Sequence, residues 1–137
     1  MEDLAGKKVG VAKGYTGQFL MEGETAKDDT GKEGVLYNKN TEINTYNSAV
    51  DAVLDLQNGR IDAVVMDQYV AENIASKPEN TNIQAIKLSY QNGDVASEEY
   101  GVAVPKGNED LLEKINQVIE QLKADNKIPG WVVQFSE

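Results

Sequence analysis

Cysteine and histidine are absent from this sequence, and arginine occurs once, at Arg60. Without a thiol there is neither a disulfide nor thiolate chemistry. Without imidazole, the commonest general base and the usual zinc and copper ligands are lost together. No run of apolar residues reaches the length of a membrane-spanning helix. Positive charge is also scarce, with 13 Lys and Arg against 23 Asp and Glu and a formal charge of −10. Such a surface repels phosphate backbones, which argues against nucleic acid as a partner, and no basic cluster suits an anionic membrane. The N-terminal "MEDLAGKK" has no apolar h-region, so no secretion signal is expected in this chain.

What remains is an ordinary globular composition. The 137 residues are 40% hydrophobic and 26% charged, enough for one domain around one core. Strand-like and helix-like segments alternate. "KKVGVAKG" reads as a strand that runs into the turn Gly14–Tyr15–Thr16–Gly17, with a helix opening at Thr16 or Gly17. Residues 22–34 are polar and turn-rich, as in an exposed loop or frayed helix end. "EINTY" (42–46) is a second strand. In "NSAVDAVLDLQNG", Ser48 and Asp51 stand at capping-box spacing, and Gly59 falls where a helix terminates. Val50, Val53, Leu54 and Gln57 are expected near one face of that helix, flanked by Ala49, Ala52 and Leu56. "RIDAVVMD" resembles a strand covered on both faces. A helix with Val70, Ala71, Ile74 and Ala75 inward should stop before Pro78. "NIQAIKL" and "EEYGVAVPKG" read as further strands, and Asn108 can cap a long amphipathic helix. Strands alternating with helices predict a mostly parallel sheet with right-handed crossovers.

In an open α/β sheet, ligands bind beyond the carboxyl ends of the strands. Two polar places meet that description. In "KGYTG", the first N–H groups of a helix lack internal partners and carry partial positive charge, and the Thr16 hydroxyl adds a donor, so one carboxylate or phosphate fits. The same residues also serve as a plain capping turn, since Thr is a common cap. The motif is too short for a Walker loop and lacks half of G-x-G-x-x-G. The second place is Asp67, at the end of "DAVVM". It either caps the next helix or meets a ligand cation, and the two roles are compatible because a capping carboxylate keeps a free oxygen. Donors beside an acceptor-only carboxylate match a zwitterion, of which an amino acid is the simplest.

The order of "DLAGKKVGVAKGYTG", "YNSAVDAVLDLQNGRIDAVVMD" and "YGVAVPKGNEDLLEKINQVIEQLKAD" resembles the polar amino acid branch of the solute-binding proteins of ABC transporters, the type 2 periplasmic binding proteins. Those proteins have two lobes that close on the ligand, and the similarity covers lobe two and the C-terminal helix. The resemblance implies a single α/β domain over 1–137, a flavodoxin-like, three-layer sandwich with a mostly parallel sheet, made of lobe two (1–107) and a C-terminal helix segment (108–137). Its parallel strands would be ordered 2-1-3, with an antiparallel return strand over 99–104. It also implies amino-acid binding without catalysis or cofactor, with lobe one and a membrane permease as partners and an extracytoplasmic location for the parent protein. Thr16, with Gly17 beside it, would bind the ligand carboxylate and Asp67 the α-ammonium. Lys13 and Met66 match positions near the ligand side chain. Tyr15 replaces the family's small residue and can crowd or stack on the ligand. No metal ligands are implied. The family's carboxylate-clamping arginine belongs to lobe one, and Arg60, at the far end of its strand, cannot take that role.

Two other classes fit the fold: a dehydratase-like enzyme, and the ligand-binding half of a receptor or sensor. The edge offers no pair of carboxylates for acid–base work, which disfavours the enzyme. The apolar stripe Leu111, Leu112, Ile115, Val118, Ile119 and Leu122 on the C-terminal helix is expected to fold back onto the sheet, with Trp131 anchoring the end.

Overall fold

A computed structural model describes residues 1–96 and 101–135. They form two compact units, Met1–Ala96 and Ser97–Glu137, each taken by itself below.

The first unit is built on three parallel strands: β1 (Lys8–Ala12), β2 (Glu42–Tyr46) and β3 (Ala63–Val65), in the order β2-β1-β3. The register pairs Val11 with Thr45 on one side and with Val65 on the other, so all three strands end at the same edge. The helices of this unit are α1 (Thr16–Thr25), α2 (Ala49–Gln57) and α3 (Gln68–Ser76). The order and direction of the strands match the sequence-based expectation.

Side chains alternate across β1, and this alternation makes the layers. Val9 and Val11 are fully buried on one face with Met21 of α1 and with Leu36. Gly10 faces the other way, where an added Cβ would lie 2.6 Å from Ile61 Cδ1 and 3.3 Å from Ala52 Cβ. The missing side chain is the groove into which α2 settles. That close approach chooses the buried face of α2: Ala52 and Val53 are buried, whereas Val50 is 63% and Leu54 50% exposed. The expected inward placement of Val50 and Leu54 is therefore corrected, because a glycine groove admits the small alanine ridge. The cap is as expected: Ser48 Oγ accepts from Asp51 N–H at 3.1 Å, and Gly59 ends the helix at φ +67°.

Three strand expectations change. β3 is half-buried rather than covered on both faces, because among the described residues it is a sheet edge paired on one side. Residues 83–88 hold no regular strand, and the chain there enters a small turn closed by a Ser89–Val95 bridge. The return strand is not formed over 101–104, and Glu99 and Tyr100 lie outside the described residues. Residues 22–34 divide: α1 continues to Thr25, and a small exposed turn follows, closed by a Lys27–Glu33 bridge. Asp28 Oδ1 ties that turn by accepting from Thr30 N–H, Thr30 Oγ1 and Lys32 N–H.

The second unit holds α4 (Glu109–Ala124) and α5 (Lys127–Phe135). Asn108 occupies the cap position of α4, but its side chain makes no capping bond. Asn126 turns the chain between the two helices with φ +52°. Of the apolar stripe, Leu111, Leu112 and Val118 are exposed, Ile115, Ile119 and Leu122 are half-buried, and Trp131 remains 46% exposed.

Candidate functional site

The carboxyl edge of the sheet collects the residues singled out from sequence. β1 delivers Lys13, Gly14, Tyr15, Thr16 and Gly17; β3 delivers Met66 and Asp67. Lys13 N–H donates to the Tyr46 carbonyl at 2.8 Å, which extends the β1–β2 pairing to the edge. Gly14 then reverses the chain at φ +80°, a conformation that costs glycine nothing. Tyr15 holds the cap position of α1 in extended backbone but makes no side-chain capping bond. Thr16 is the first helical residue, so the reading of its hydroxyl as the cap does not hold.

This arrangement leaves donors open. Among the described residues, the N–H groups of Thr16 and Gly17 and the Thr16 hydroxyl have no hydrogen-bond partner. Tyr15 N–H and Gln18 N–H are satisfied, by the carbonyls of Ala12 at 3.3 Å and of Tyr15 at 3.0 Å. The first turn of α1 contains no acidic residue to offset the positive end of the helix dipole.

Gly17 has a structural duty as well. An added Cβ would stand 2.6 Å from the Val65 carbonyl oxygen and 3.2 Å from its carbon. Glycine thus lets the start of α1 press against the end of β3, bringing the open donors to the strand that leads into Asp67.

Asp67 caps α3. Its Oδ1 accepts from Tyr69 N–H at 2.9 Å and Val70 N–H at 3.4 Å. Oδ2 has no partner among the described residues, so capping occupies one oxygen and leaves the other. Lys13, Tyr15, Thr16 and Asp67 are exposed, Met66 is half-buried and Gly17 is buried. The edge is an open surface, and depressions among the described residues occur elsewhere, along α4 and beside Glu24, Lys32 and Tyr90.

One residue of the edge escaped the sequence reading. Gln18 Oε1 accepts from Gly14 N–H at 2.7 Å, and its Nε2 donates to Glu22 Oε1 at 2.7 Å. A polar side chain four residues beyond a glycine turn, and four before a glutamate, was the available signal. No cluster of three or more metal-ligating side chains occurs among the described residues, and no helix among them is long and apolar enough to cross a membrane.

No protein-family profile matches the chain. It is 35% identical to the putative ABC transporter arginine-binding protein 2 of Escherichia coli, over 91% of this chain and 45% of that protein. It is 31% identical to the L-cystine-binding protein TcyJ of the same species, over 93% of this chain and 41% of that protein. A solved ancestral arginine-binding protein bound to arginine superposes with a TM-score of 0.62 at 31% identity, covering 99% of this chain and 53% of that one. The chain thus spans less than half the length of these curated relatives, all of them binding proteins by name. Alternating helices around a parallel β2-β1-β3 sheet agree with this run of similarity, and the chain is similar, over a lobe-sized part of each, to amino-acid-binding proteins of ABC transporters.

Proposed function

We propose that this segment forms one half of an amino-acid binding cleft and captures the ligand as a zwitterion without chemistry. The observation that carries the reading is the pairing at one sheet edge of unpartnered donors, on Thr16 and Gly17, with a capping carboxylate that keeps an oxygen free, on Asp67. Thr16 and Gly17 take the ligand carboxylate, and Asp67 Oδ2 takes the ammonium. Charge-assisted bonds of this kind are the strong ones when water is excluded. Lys13, Tyr15 and Met66 surround the ligand side chain. A second lobe completes the cleft, and delivery to a membrane permease outside the cytoplasm follows from the same reading. The binding names of the relatives support it against an enzyme, and L-arginine is the first ligand to test.

Half a cleft leaves the ligand wet on one side, so the dissociation constant should be about millimolar or weaker, about −4 kcal/mol. The test is an amide-resolved NMR titration with L-arginine and other amino acids, in the parent chain and two variants. Asp67→Asn should weaken amino acids more than the matching carboxylic acids that lack the ammonium. Thr16→Ala should weaken both alike. Equal losses for the two ligand classes in Asp67→Asn would reduce Asp67 to a helix cap, and a micromolar complex of the monomer would contradict the half-cleft reading.

A further inference from the structure

The turn that presents the open donors is held from four residues away. Gln18 Oε1 accepts from Gly14 N–H at 2.7 Å, while Gln18 Nε2 donates to Glu22 Oε1 at 2.7 Å. The two ends of this amide cannot trade places. Gly14 N–H can only donate and an ionised Glu22 can only accept, so Glu22 sets the orientation of the amide and the amide sets Gly14. Gly14 needs such a restraint. It lies at φ +80°, and a Cβ built on it would meet nothing within 4 Å, so packing around Gly14 itself does not hold its backbone. A glycine left to itself samples both signs of φ. Changing φ at Gly14 would carry Tyr15 and the N–H groups of Thr16 and Gly17 out of register with β3.

Resting on the zwitterion reading above, we infer that Gln18 is a positioning residue for the carboxylate end of the site. Its amide latches Gly14, takes up the Gly14 N–H, and pre-orders the donors of Thr16 and Gly17. Glu22 acts at one remove, by holding the amide the right way round. A ligand carboxylate then meets donors already in place rather than ordering the turn as it binds. A surface pair at helical spacing would also place Gln18 and Glu22 in contact, but such a pair acts on helix stability and is indifferent to the ligand.

The test compares L-arginine with L-argininamide, which keeps the side chain and the ammonium but lacks the carboxylate. Amide shifts of the whole chain report binding, and thermal unfolding is followed in parallel. Gln18→Ala should weaken L-arginine about fivefold, the scale of ordering one turn on binding. It should leave L-argininamide unchanged and the melting temperature near that of the parent. Glu22→Ala should weaken L-arginine in the same direction by a smaller factor. L-arginine affinity equal to the parent's in Gln18→Ala, or equal losses for both probes, overturns the inference while leaving the site reading intact. A parent chain whose Thr16 and Gly17 amides do not respond to L-arginine overturns both.

Discussion

Gly17 answers to two demands, the open donor on its nitrogen and the carbonyl of Val65 against its α-carbon. Gly17→Ala places a methyl group 2.6 Å from backbone oxygen, where no side chain can swing aside. The expected cost is about 1–3 kcal/mol, read as a lower urea midpoint at unchanged slope. Asp67 separates its two roles by substitution. Asn caps about as well as Asp, so Asp67→Asn should keep the melting temperature of the parent. Asp67→Ala removes the acceptor of Tyr69 and Val70 N–H and should cost about 1 kcal/mol in the same measurement. Stability that falls alike in both variants would mean that charge, not capping geometry, holds the start of α3.

Between elements, two phenols tie helices to their surroundings, and each predicts a pH limb. Tyr90 donates to Glu24 Oε1 at 2.6 Å, joining the end of α1 to the turn over 89–95. That bond, with burial, raises the phenol from 10.0 to about 12. A phenol raised in the folded state stabilises fully below its unfolded value and loses that contribution as pH climbs from about 10 to about 12. Tyr90→Phe should therefore be less stable than the parent at neutral pH, and the gap should close on the alkaline side. At the other end of the scale, the Tyr46 hydroxyl and then Arg60 hold Asp55 below its ordinary 3.8. A depressed carboxylate stabilises above its unfolded value and loses this as pH falls through the folded one, so Tyr46→Phe should flatten the acid limb of urea stability. Much of this level was legible in the sequence. β1, β2, the capped α2 and the halt of α3 before Pro78 follow from local rules, as do Thr16 and Asp67 at the carboxyl edge. What local rules do not contain is the partner surface. Val50, Val53 and Leu54 suggested a face, but the groove at Gly10 admitted Ala52 beside Val53 and left Val50 and Leu54 outside. Residues 83–88 have strand composition, yet pairing requires a neighbour, and composition does not name one. Gln18 went unread because its role depends on the φ of a glycine four residues earlier.

For the molecule as a whole, the buried core Met1, Val9, Val11, Met21 and Leu36 lies entirely within residues 1–96. A chain ending at Ala96 should therefore still unfold cooperatively on heating. The same deletion tests the proposed fold-back of the helical stripe: a large fall in melting temperature supports it, and an unchanged value makes the helices independent of the sheet. The contact between Gly17 and the carbonyl of Val65 has a consequence at this scale too. It sets the backbone donor of Gly17 against the strand that leads into Asp67. With Gly14 latched by Gln18 and Asp67 held by its capping bonds, the interval between the carboxylate donors and Asp67 would suit one length of ligand. Amino acids with the ammonium moved one or two carbons along the chain should not span it, however well their side chains suit the opposite lobe. Selectivity for the α-series would then reside in this half of the cleft alone, and discrimination among side chains in the other.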